Sequence, residues 1–120
     1  MTQETIDRCI QTLITVYGED VRVACEGQQT LVRVSKVDLY PTCQPKETPM
    51  LLVFNLAQPK PLPYVQPGQL LANGRTPRSS SVQLVGGESW LQFSFNIPWT
   101  EEDGIMRFIA AARQRFAQND

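Results

Sequence analysis

The chain of 120 residues contains no histidine. That absence removes Ser-His-Asp and Cys-His catalysis, because nothing else serves as their base. Its three cysteines, Cys9, Cys25 and Cys43, are widely spaced. They form no C-x-x-C pair and suit neither a zinc cluster nor a disulfide framework. No Gly-rich loop of the phosphate-cradling or dinucleotide type is present. No apolar run approaches the roughly 20 residues that span a bilayer. The start, MTQETIDRC, lacks the basic-then-apolar layout of a secretory leader. A net charge of −1 gives no electrostatic reason to expect nucleic acid or an anionic membrane as partner. These absences predict a reduced, cytoplasmic protein with no metal and no cofactor. For chemistry they leave lone thiols, carboxylates, lysines and tyrosines.

What is present is ordinary for a folded domain: 42% hydrophobic and 19% charged residues over a length that suits one domain, 1–120. From Thr5 to Tyr17, Ile6, Cys9, Ile10, Leu13 and Tyr17 recur at helical spacing, and Gly18 supplies a stop. Cys9 falls on that stripe, where a thiol behaves as a small buried hydrophobe. Val21–Cys25 and Thr30–Leu39 alternate with period two and read as a hairpin. Met50–Leu56 is almost continuously apolar, which predicts a central strand covered on both faces. The segment between the last two carries Cys43 among prolines and polar residues, which predicts an exposed loop thiol. Cys25, in a strand, is expected to be buried.

Residues 57–81 contain five prolines and two glycines and read as one long loop, pinned by Leu62, Tyr64, Val65, Leu70 and Leu71. Val82–Val85, the Gly86-Gly87 pair and the stretch SWLQFSFNIPW follow as a last hairpin. On a strand running to Pro98, Leu91, Phe93, Phe95 and Ile97 point one way. Trp90 then lands on the polar face with Gln92, Ser94 and Asn96. Thr100 reads as a helix N-cap with Glu101, Glu102 and Asp103 in the first turn. A buried stripe of Ile105, Phe108, Ile109, Ala112 and Phe116 follows. The predicted fold is α+β: an N-terminal helix, an antiparallel meander of four to five strands, the proline-rich loop, and a C-terminal helix packed on the sheet.

That order, with three short motifs, resembles the ubiquitin-conjugating-enzyme-like superfamily, and its bacterial members in particular. Pro63-Tyr64-Val65-Gln66-Pro67 is similar to the family's proline-rich segment. Gly87-Glu88-Ser89-Trp90-Leu91 is similar to its catalytic Gly-x-x-Cys-Leu turn, and Trp99 to the tryptophan before the next helix. In this alignment Trp90 stands where the family has its nucleophilic cysteine. Ser80-Ser81-Val82 stands where it has His-Pro-Asn. The resemblance therefore implies the sandwich fold without the activity.

The expected function is a non-catalytic protein-binding module in a bacterial ubiquitin-like modification or defence system. Its partner would be a ubiquitin-like modifier or a conjugation component. The candidate contact residues are Tyr64, Val65, Arg75, Arg78, Trp90 and Trp99, since exposed Trp, Tyr and Arg dominate interface hot spots. Trp90 has a structural alternative, an indole filling the space under the proline-rich loop against Tyr64 or Pro67. Two other functions fit the composition. One is an active conjugating enzyme using a relocated thiol, Cys43 or Cys25. The other is a small α+β secretion-type chaperone or adaptor.

Overall fold

The computed structural model describes residues 1–93 and 96–118. Helix α1 spans Gln3–Tyr17; the Thr2 hydroxyl accepts a hydrogen bond from the Thr5 amide at 3.2 Å and caps its start. Ile6, Cys9 and Leu13 are buried on its stripe, and Ile10 and Tyr17 lie at its half-buried margin. Gly18, at φ 60°, ends the helix and donates its N–H to the Ile14 carbonyl.

Six strands follow: β1 (Val21–Glu26), β2 (Gln29–Asp38), β3 (Glu47–Asn55), β4 (Leu62–Val65), β5 (Ser81–Val85) and β6 (Glu88–Gln92). They make one antiparallel sheet in the order β1-β2-β3-β4-β6-β5. The count exceeds the four to five strands expected, because residues 57–81 are not one loop. Leu62–Val65 pairs with β3 along its length, and its Tyr64 and Val65 pair with Gln92 and Leu91 of β6. Proline hid this strand: a proline within a run argues for an edge or a loop. Pro63 faces Leu52 of β3, while the β6 ladder covers only Tyr64 and Val65. The same proline shortens β6. Beyond Gln92 the next register position on β4 is Pro63, which has no N–H to extend a ladder. So β6 stops at Gln92 instead of running to Pro98. Of the residues expected on its inward face, Leu91, Phe93 and Ile97 are buried, and Phe95 lies outside the described residues.

Helix α2 is Gly104–Arg115, starting later than the sequence predicts. The Thr100 hydroxyl accepts from the Asp103 amide at 3.1 Å, and the Thr100 carbonyl from Gly104 N–H at 3.2 Å. Glu101, Glu102 and Asp103 thus form a turn ahead of the helix, because Gly104, the residue at its start, has φ 78°, outside the right-handed helical region, and the helix cannot extend back through it. The stripe of Ile105, Phe108, Ile109, Ala112 and Phe116 is buried throughout.

Both helices cover one face of the sheet. Their stripes meet Val32, Val34, Met50, Leu52, Phe54, Val65 and Leu91, with Phe116 tilted onto Phe93 at 4.7 Å between ring centroids. Residues 66–80 are fastened below this core. Leu71 is fully buried, and the Ala72 amide donates to the Phe116 carbonyl at 2.7 Å. Buried Gln69 donates to the Pro45 carbonyl at 2.7 Å and accepts from the Gln66 side chain at 3.1 Å. Of the five residues expected to pin a 57–81 loop, Leu62, Tyr64 and Val65 belong to β4, and in the shorter loop Leu71 is buried and Leu70 half-buried.

Phe108 is 1% exposed and also carries the half-buried Trp99 edge-on at 5.9 Å. Phe108→Ala should cost about 3–5 kcal/mol through lost transfer free energy and the cavity left behind. A urea unfolding curve with an unchanged midpoint would remove Phe108 from the core.

Candidate binding surface

The face of the sheet turned away from the helices explains Trp90. In β3 the side chains alternate: Met50, Leu52 and Phe54 meet the helices, and Leu51 and Val53 point the other way. Leu31 of β2, Leu51 and Val53 of β3, Tyr64 of β4 and Trp90 of β6 form a second apolar cluster, flanked by Leu62 and Val85. No helix lies on it, yet Trp90 is only 4% exposed.

The cover is the β5–β6 hairpin itself. Gly86 and Gly87, at φ 59° and 83°, make the tight turn that the Gly-Gly pair predicts. The tip of this hairpin rests on β2, where a Cβ added to Gly86 would stand 3.0 Å from the Leu31 methyl. Glu88 accepts two hydrogen bonds from Arg33, at 3.1 and 3.2 Å. Two strands separate β2 from β6 in the sheet order, which is about 14 Å if the sheet were flat. These contacts hold only if the hairpin swings back over the sheet. Trp90 fills the space beneath, with the Arg33 guanidinium 5.3 Å from its ring centroid. The indole shares its cluster with Tyr64, as one sequence reading has it, but its cover is this hairpin and not the proline-rich loop; Pro67 is exposed.

The six candidate contact residues are not gathered into one patch. Tyr64 and Trp90 meet in the second cluster, whereas Val65 is buried on the helix face. Trp99 is half-buried on Phe108. Only Arg75 and Arg78 are exposed, Arg78 in a turn whose carbonyl accepts from Arg115 at 3.3 Å.

The thiols reverse their expected places. Cys43 is 3% exposed: its turn tucks under the pinned loop, and its sulfur lies 3.9 Å from the Phe116 carbonyl. Cys25 is exposed, because β1 is an edge strand with solvent beside it. Cys9 is buried, and burial pushes its thiol up to about 11. Among the described residues, no group of three or more His, Cys, Asp or Glu is placed to hold a metal, and no helix is long and apolar enough to cross a membrane.

Large apolar side chains are exposed on α1 (Ile14, Val16), β1 (Val23) and after β3 (Leu56), and the two most exposed among the described residues lie on β5. Ser81, Val82, Gln83 and Leu84 are all exposed, Val82 at 59% and Leu84 at 75%. The strand pairs with β6 on one side and ends the sheet on the other. It carries no charged residue, whereas the opposite edge, β1, carries Arg22 and Glu26. Sequence reasoning found this strand but not its exposure. The alternation of Val82, Gln83 and Leu84 marks a strand, but only the β4–β6 pairing makes it the edge.

The chain matches no protein-family model, no curated protein and no solved structure.

Three outcomes test this geometry. Iodoacetamide should label Cys25 alone in the folded protein and all three thiols after unfolding, as counted by mass spectrometry. The folded Cys9 stays protonated above the ordinary thiol value of 9.0, where the unfolded one ionises. Its contribution to stability is therefore complete below about pH 9 and lost as pH rises towards 11. Cys9→Ala should flatten that decline in denaturation curves. Separately, Trp90→Ala should cost about 3–5 kcal/mol. It should raise amide exchange in residues 81–92 before either helix; uniform exchange would mean that Trp90 does not hold the hairpin.

Proposed function

We propose that the protein is a non-catalytic protein-binding module whose binding element is the free edge of β5. The observation that carries this reading is the pair Val82 and Leu84, outward and exposed on an uncharged terminal strand. Edge strands normally carry charges, prolines or bulges that deter pairing. An unprotected edge with two apolar side chains on one side has what strand addition needs: main-chain groups for affinity and side chains for selectivity. The partner supplies an extended segment.

The resemblance to the ubiquitin-conjugating superfamily refines the partner to a ubiquitin-like modifier or a conjugation component. It is supported by the motif at Gly87–Leu91 and by Trp90 standing at the nucleophile position. The enzymatic alternative loses support, since Cys43 is buried and the base next to the exposed Cys25 in the sequence is the Glu26 carboxylate, whose ordinary pKa is far below that of a thiol. The module reading needs only the edge.

Incubation with a ubiquitin-like modifier, its activating enzyme and ATP should leave no reductant-sensitive adduct; an adduct lost on Cys25→Ser or Cys43→Ser would make the protein an enzyme. Proteins cross-linked to a photoreactive group at Val82 in the native cell should be lost at least tenfold on Leu84→Lys. Leu84 is exposed, so stability should change by less than about 0.5 kcal/mol. Retention of the same cross-links by Leu84→Lys would remove β5 as the binding element.

A further inference from the structure

We propose that in the unbound protein two copies pair through this edge, β5 against β5, antiparallel about a twofold axis at Gln83. The inference rests on the reading of β5 as the binding edge and names what occupies that edge when no partner does.

The sequence of the strand, Ser-Val-Gln-Leu-Val, is complementary to itself. A twofold axis at Gln83 sets Val82 of each copy opposite Leu84 of the other, and Ser81 opposite Val85. Both Val82–Leu84 pairs fall on the same outward side, so each exposed apolar side chain meets an apolar one. No like charges oppose each other anywhere along the strand, because it has none. β1 lacks this symmetry. Pairing it to itself about Val23 would set Arg22 opposite Ala24 and leave the Glu26 carboxylate beyond the ladder.

The free main-chain groups point the same way. β5 is bonded to β6 alone, so its outer N–H and C=O groups face away from the sheet. A second copy extends both six-stranded sheets into one and closes both edges together, which an isologous contact does by symmetry. The contact is small. A strand of five residues buries less than the 1,200 Å² or so typical of a stable complex. The dimer is therefore weak and forms at high concentration. A partner offering a longer extended segment displaces it, so self-pairing shields an aggregation-prone edge without blocking function.

Sedimentation velocity of the full chain from about 1 µM to 1 mM should show a monomer converting to a dimer. Leu84→Lys, which places like charges near the twofold, should keep it monomeric at 1 mM with its thermal melt unchanged. In a Cys25→Ser background, Gln83→Cys should form an intermolecular disulfide under copper-phenanthroline oxidation. Gln58→Cys, on an exposed turn far along the chain, should not. A monomer at every concentration would overturn the proposal, as would a dimer that survives Leu84→Lys or a Gln83→Cys yield no higher than the control. The two readings separate cleanly. If the chain stays monomeric but Leu84→Lys still abolishes the Val82 cross-links, self-pairing fails and the binding edge stands; if the cross-links also persist, both fail.

Discussion

β3 carries buried apolar side chains on both of its faces, and the two helices cover only one of them. The rest of the architecture answers that constraint. Leaving Leu31, Leu51, Val53 and Tyr64 in water would forgo roughly 25 cal/mol for each Å² of apolar surface. Among the described residues there is no third α-helix to supply. It uses the last hairpin instead, folded back so that Trp90 seals the second cluster and Glu88 reaches Arg33. The Arg33–Glu88 pair is partly exposed and contributes little by itself. Its value is directional: it fixes where the hairpin lies, while the indole beneath supplies the burial.

This fold-over also decides which strand ends the sheet. With the hairpin across the sheet, β6 is enclosed between β4 and β5, and β5 is left with one bonded side and one open side. Gln83 pairs with Trp90 and shares its face, so Val82 and Leu84 lie on the other side of the hairpin, that of Leu91, where both are exposed. The large aromatic that looks like a contact residue in the sequence is thus the reason that two smaller aliphatics are presented. The groove beside the hairpin, about 290 Å³ between β1 and the Gly86 turn, is floored by Leu31, Leu51 and Trp90. It carries the Arg33–Glu88 pair at its side, and no Cys, Ser, Thr, Tyr or Lys lines it.

Polar groups are handled conservatively elsewhere. The proline-rich region could have been a mobile arm, but buried Gln69 ties its second half to the Pro45 carbonyl, and the Ala72–Phe116 bond ties it to the end of α2. Cys43 lies under this seam, which turns a loop thiol into packing. The surviving exposed thiol, Cys25, lies on the edge opposite to β5.

The amino-acid sequence alone settled what depends on neighbours along the chain. Periodicity placed the stripes of α1 and α2, alternation placed β1, β2 and β5, and Gly86-Gly87 placed the last turn. The missing histidine and the scattered cysteines left no place for a Ser-His-Asp or Cys-His arrangement, and a continuous apolar run marked β3 as central. What depends on distant partners was beyond its reach. Pro63 looked like loop because the tolerance of a proline in a strand depends on which strands flank it. Cys43 and Cys25 exchanged burial because exposure follows sheet order and loop closure, not local composition. Trp90 belonged on a polar face by alternation, and only the return of the hairpin over β2 made that face a second core. The same return left β5 at the rim, since edge position is a property of the whole sheet and of no single strand.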